Sequence, residues 1–177
     1  SLSEIMNVDQ NAQLKQFQKG SILQHSGEIA SHAFFVKKGL LRSYSIDEKG
    51  KEHIFTFASE GWILADIESQ EFDQPAQLFI DCLEDSEVVV FNRSCLVLSD
   101  LPSEKLVEQV ILLSRRMGVL QRRVIMQMSA SAIERYEHFL ETYPELHDRI
   151  PQRMIASYLG ITPEGLSRVR SEKLHSK

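Results

Sequence analysis

Residues 151–169 read PQRMIASYLGITPEGLSRV, and this stretch decides how the end of the chain folds. Pro151 suits the first turn of a helix, where its missing N–H costs nothing. Ile155 and Leu159 supply the buried side of that helix. Ala156 stands where a second helix crosses closely, so a large side chain there would force the two apart. Gly160 sits at the helix end, where a positive φ favours glycine. Ile161 plugs the turn. Thr162 caps a second helix with Pro163 at its first position, and Leu166 and Val169 face back into the core. A small residue, a glycine four positions on, and apolar residues on either side form the pattern of a helix-turn-helix.

Working towards the start of the chain, Ser131 and Glu134 have the spacing of a capping box. They open a helix whose apolar face holds Tyr136, Phe139 and Leu140, and Pro144 ends it. Before it, Leu106, Val110, Leu113, Met117, Leu120 and Val124 recur at alternating steps of 4 and 3. That is a heptad seam without proline, with Ser103 as its cap. A second apolar group, Val107, Ile111, Ile125 and Met128, lies beside it. One helix with two apolar faces can pack on its own chain with one and on a partner chain with the other.

Residues 14 to 91 have a different rhythm. Short apolar runs alternate with turns, as in an all-β sandwich or barrel. The expected strands are Leu14–Phe17, Ser21–Gln24, Ala33–Lys37, Leu40–Ile46, His53–Phe57, Gly61–Ala65, Gln77–Leu83 and Glu87–Phe91. Residues 68–75 read as a polar connection. The chain is therefore expected to be α+β in three parts. An antiparallel, jelly-roll-like β-roll covers 1–102 and a dimerisation helix 103–128. A helix-turn-helix domain without an evident complete β-wing covers 129–177.

With 42% apolar residues the chain can bury a sizeable core. No apolar run approaches the ~18 residues of a membrane span, and the start has no signal-peptide pattern. Two isolated cysteines, Cys82 and Cys95, fit a reducing cytoplasm. The first residue is Ser1, so the natural chain is expected to begin earlier. The net charge of −5 is unevenly placed. From Arg149 onward six basic residues stand against two acidic ones, while the preceding chain is about −9. Phosphate contacts need such local positive charge. Ser-His-Asp, Cys-His and P-loop arrangements are not evident, and His53 stands alone where a cupin metal site needs several ligands. An enzyme and a metal site are therefore not expected.

The chain resembles the Crp/Fnr family of transcription regulators along nearly its whole length. The sensor matches in 19–23 (KGSIL), 35–39 (FVKKG), Glu60-Gly61 and 83–88 (LEDSEV), and the DNA-binding end in 135–140 and 155–168. The resemblance implies a cytoplasmic homodimer whose partners are double-stranded DNA and, as a further partner it allows, RNA polymerase. It implies no membrane partner. It also places Glu164 and Arg168 in the major groove. The residues agree, because positions four apart share one helical face, opposite Leu166 and Val169. Arg can donate twice to guanine and Glu can accept from cytosine. Thr162 belongs to the same site, and Ser167, Arg170 and Lys173 are expected on phosphates.

The sensor departs from the family. Nucleotide-binding members hold ribose with a Glu and phosphate with an Arg. The corresponding positions, beyond Gly61, read Ala65-Asp66 and Ala76-Gln77, and no arginine lies between Arg42 and Arg93. The base-facing positions of the long helix read Leu120 and Gln121. Cyclic AMP is therefore not the expected effector. Cys82 and Cys95 are too few for a four-cysteine cluster, and His25, His32 and His53 read as surface or core residues, so no cofactor is expected. Open beside this reading is a β-roll ligand-sensing or interaction module that has lost DNA binding.

Overall fold

A computed structural model of the chain describes residues 11–92 and 103–175. The chain divides into two compact units, 1–97 and 98–177.

The first unit holds β1 (Gln13–Phe17), β2 (Ile22–Gln24), β3 (Ala33–Lys38), β4 (Leu41–Ile46), β5 (Glu52–Ala58), β6 (Ile63–Leu64), α1 (Ile67–Phe72), β7 (Phe79–Cys82) and β8 (Ser86–Phe91). They form two four-stranded antiparallel sheets of order β1-β8-β3-β6 and β2-β7-β4-β5, the expected jelly-roll. Alternation sets what lies between the sheets. Leu41, Ile80 and Cys82 from one sheet meet Phe34, Val36 and Val88 from the other. The next residues along β3 and β8, Ala33, Val89 and Phe91, are buried on the opposite face with Ala12, Phe35 and Ala65 beside them. Burial on both faces is why β8 reads as a continuous apolar run rather than an alternating one. Gly39, at φ 102°, lets β3 turn into β4 so close to Ser86 that a Cβ would fall 2.3 Å from its Oγ.

The outer face of the second sheet carries charge. Arg42 on β4 donates from Nε and Nη2 to Asp81 on β7 at 2.8 and 2.9 Å, and its Nη groups also reach Glu52 on β5. Its guanidinium stacks 4.0 Å above the Tyr44 ring. Burial works against the Arg42 charge, and the bonds to Asp81 and Glu52 outweigh it, holding its pKa above the ordinary value.

Two sequence expectations need correcting here. Residues 68–75 are not merely a polar connection: they include most of α1. Six residues are fewer than two turns, too few to show a helical period. Its cap is Asp66, whose carboxylate accepts from the Ser69 N–H. The strand expected over 77–83 begins only at Phe79, because the amides of Gln77 and Leu78 also turn to Asp66.

The second unit contains α2 (Ser103–Ser129), α3 (Ala132–Thr142), α4 (Gln152–Leu159) and α5 (Pro163–His175). The capping box is present: Ser131 Oγ accepts from the Glu134 amide, and the Glu134 carboxylate accepts from the Ser131 amide at 2.7 Å. Phe139, Tyr143 and Tyr158 pack ring against ring at 5.5–5.7 Å. Ile155, Ala156, Leu159, Leu166 and Val169 complete the core. Pro151 is the cap of α4.

Candidate nucleic-acid interface

The turn between α4 and α5 is built as its residues dictate. Gly160 adopts φ 68° and ends α4, and the Ile161 amide donates to the Ala156 carbonyl at 3.0 Å. Thr162 Oγ1 accepts from the Gly165 amide at 3.1 Å, capping α5. Leu166 and Val169 are buried, which turns the opposite side of α5 to solvent.

On that side Glu164, Ser167 and Arg168 line one shallow groove together with Ser171 and Glu172. Thr162 is exposed at its start. An ion pair between residues four apart would be the ordinary use of Glu164 and Arg168 on a surface helix. Among the described residues none joins them, and both are exposed. Ser171 was not singled out from sequence. Its spacing of four from Ser167 was the available signal, and its Oγ donates to the Ser167 carbonyl at 3.1 Å. Arg170 is half-buried at the margin. Lys173, expected on phosphate, forms an ion pair with Glu137 of α3 at 3.1 Å. Arg153, also not singled out, is exposed in the first turn of α4, the helix that crosses the backbone in this motif.

The seam of α2 faces solvent in the single chain. Leu106, Val110, Met117, Leu120 and Val124 are 38%, 55%, 71%, 47% and 57% exposed. The side chain of Leu113 lies outside the described residues. Val107, Ile111, Ile125 and Met128 are exposed as well, and so is Gln121.

The cassette of the sensor is closed by its own residues. Asp66 is buried. One of its carboxylate oxygens accepts from the Ser69 amide at 3.2 Å, and the other from the amides of Gln77 and Leu78 at 3.1 and 3.3 Å. Ala76 is buried, with its amide on the Glu28 carbonyl and its carbonyl accepting from the Gly27 amide. The Gln77 side chain donates to Glu68, Ala65 is half-buried, and the Gly61 amide donates to the Val36 carbonyl. Asp66→Ala strands three backbone N–H groups, so the sensor should lose about 3 kcal/mol. Asp66→Asn, which keeps one acceptor oxygen, should lose less. Urea unfolding of both variants checks this, and equal losses would show that the carboxylate is not the anchor.

Cys82 is buried, and that burial pushes its thiol up to about 11, which makes it a poor nucleophile and metal ligand. Cys95 lies outside the described residues.

Residues 14–97 match the family described as Cyclic nucleotide-binding domain. The fumarate and nitrate reduction regulatory protein of Vibrio cholerae is 29% identical over 185 residues, covering 94% of this chain and 71% of that protein. The electron transport regulator A of Shewanella oneidensis is 28% identical over 173 residues, covering 88% of this chain and 66% of that one. The chain is similar to regulators of the Crp/Fnr family. The chain spans about two thirds of the length of the curated relatives it matches. Its fold is that of FixK2 from Bradyrhizobium japonicum, with a TM-score of 0.75, 22% identity, and coverage of 93% of this chain and 85% of that one. Among the described residues no helix is long and apolar enough to cross a membrane.

Proposed function

We propose that this chain is a cytoplasmic, two-fold dimeric transcription regulator of the Crp/Fnr type that reads DNA through α5 and pairs through the seam of α2. The observation that carries the reading is the outward face of α5. Glu164, Ser167 and Arg168 share it, and buried Leu166 and Val169 anchor the helix from behind. The regulatory names of the full-length relatives support the same reading. The sensor does not take cyclic AMP through its cassette. The Asp66 carboxylate is already spent on three backbone amides, and Ala76 and Gln77 bring no cation to a phosphate.

Binding-site selection from genomic fragments tests the proposal. The wild type should select a near-palindrome. Arg168→Ala should relax the preference at one base pair in each half-site, because a bidentate Arg–guanine contact is worth about 1–3 kcal/mol of discrimination. Arg170→Ala should weaken binding to all sequences alike and reduce the salt slope by roughly one unit per site. If Arg168→Ala keeps the selected sequence and loses affinity uniformly, Arg168 is a phosphate clamp. If the wild type selects no sequence, the chain is a sensing or interaction module instead.

A further inference from the structure

The backbone between α2 and α3 is a short joint, Ala130 and Ser131, between a 27-residue helix and the three-helix DNA-binding end. A joint of two residues does not by itself fix an angle. Side chains bridge it. Gln127, in the last turns of α2, donates from Nε2 to the Tyr158 carbonyl of α4 at 3.3 Å. Arg135 of α3 donates from Nη1 to the Gln127 Oε1 at 3.0 Å. One helical turn earlier, Arg123 of α2 lies 4.2 Å over the Tyr158 ring, which also packs against Phe139 and Tyr143. The packing at the turn is close: a Cβ on Gly160 would stand 3.1 Å from Gln127 Oε1 and 3.6 Å from Arg135 Nη1. Gln127 thus touches α3 and the carbonyl end of α4, two residues before the turn that aims α5.

We infer that Gln127, held by Arg135 and assisted by Arg123, is a positioning residue that sets the distance between the two recognition helices of the dimer, and so the half-site spacing the protein accepts. This rests on the dimeric DNA-binding reading above. If the two copies of α2 pair along their seams, each α5 is referred to the dimer axis through its own α2. The side-chain path from α2 to the turn is then the part of that reference with a choice of geometry. Recognition helices of such dimers enter successive major grooves about one helical turn of DNA apart, ~34 Å. A small tilt at the joint therefore changes which spacing fits, while the base contacts of each α5 stay the same.

The test is selection from a library in which two fixed half-sites are separated by varied spacers, using the wild type, Gln127→Ala and Gln127→Glu. The Glu variant keeps the acceptor for Arg135 and loses the donor to Tyr158. The wild type should accept one spacing. Gln127→Ala should accept neighbouring spacings as well and lose about tenfold on the best site, with its half-site sequence unchanged and its dimer mass intact. Gln127→Glu should lie between them. A second readout needs no DNA: spin labels on Ser171→Cys in both protomers, in a Cys95→Ser background, report the distance between recognition helices. That distribution should broaden in Gln127→Ala. An unchanged spacing preference with an unchanged distance distribution overturns the inference. So does a loss of half-site sequence preference, which would make Gln127 part of the fold of the turn. A wild type that binds one spacing while Gln127→Ala behaves identically defeats only this inference. A wild type that selects no DNA defeats the reading beneath it.

Discussion

Val110→Glu combined with Met117→Glu should convert the protein to a monomer that has lost nearly all binding to a two-fold site. The two side chains are 55% and 71% exposed in the single chain and stand two turns apart on the α2 seam. Burying a large apolar side chain contributes about 1.5–3 kcal/mol, and the seam repeats on both copies. The double substitution removes four such contributions from a dimer and brings four carboxylates to a dry stripe. Burying an ionised carboxylate without a partner costs more than the apolar contact contributed. The seam should therefore separate rather than adapt. A monomer presents one α5, so it should hold a half-site weakly and a palindrome no better. Arg122→Glu, off the seam, should leave the dimer intact. Light scattering and native mass measurement decide the matter. A folded dimer carrying both glutamates would show that the copies do not meet along this stripe.

Arg42→Met should destabilise the sensor by about 3–5 kcal/mol, the range for removing one partner of a buried ion pair. The side chains of Arg42 and Asp81 are 7% and 10% exposed. Without the guanidinium, the Asp81 carboxylate loses its donors where water has little access, and Glu52 stands beside the gap. Glu52 is 44% exposed, so its own pairing contributes little. The companion variant Arg42→Met with Asp81→Leu removes both buried charges together and should recover most of the loss, because an apolar pair of similar volume is often neutral in such a place. Urea unfolding of the two single variants and the double one forms a complete cycle. A loss below about 1 kcal/mol for Arg42→Met would mean that water reaches the pair and that it behaves as a surface bridge.

What could be read from sequence shares one property: its determinants lie within a few residues of each other. The capping box needs Ser131 and Glu134, and the helix-turn-helix needs Ala156, Gly160, Thr162 and Pro163. The alternation of β3 and β5 and the seam of α2 repeat over short periods. Near each of the eight expected β runs the structure has a strand, because apolar period and turn residues are local signals. The outward face of α5 was legible for the same reason, since Leu166 and Val169 declare the inward one.

The sequence by itself determined the order of the eight strands and of α2 to α5, the two apolar faces of α2, and the turn that aims α5. Only the tertiary structure decided which polar groups meet. Asp66 takes amides 3, 11 and 12 residues away, so an apparent loop residue closes the cassette. Arg42 and Asp81 are 39 apart, Gln127 and Tyr158 are 31 apart, and Lys173 reaches back 36 residues to Glu137. Backbone hydrogen bonds and apolar periods repeat along the chain and reveal themselves in any short window. A single polar pair has no period: its partner is chosen by where the packed elements happen to bring a buried donor beside an acceptor that water can no longer serve.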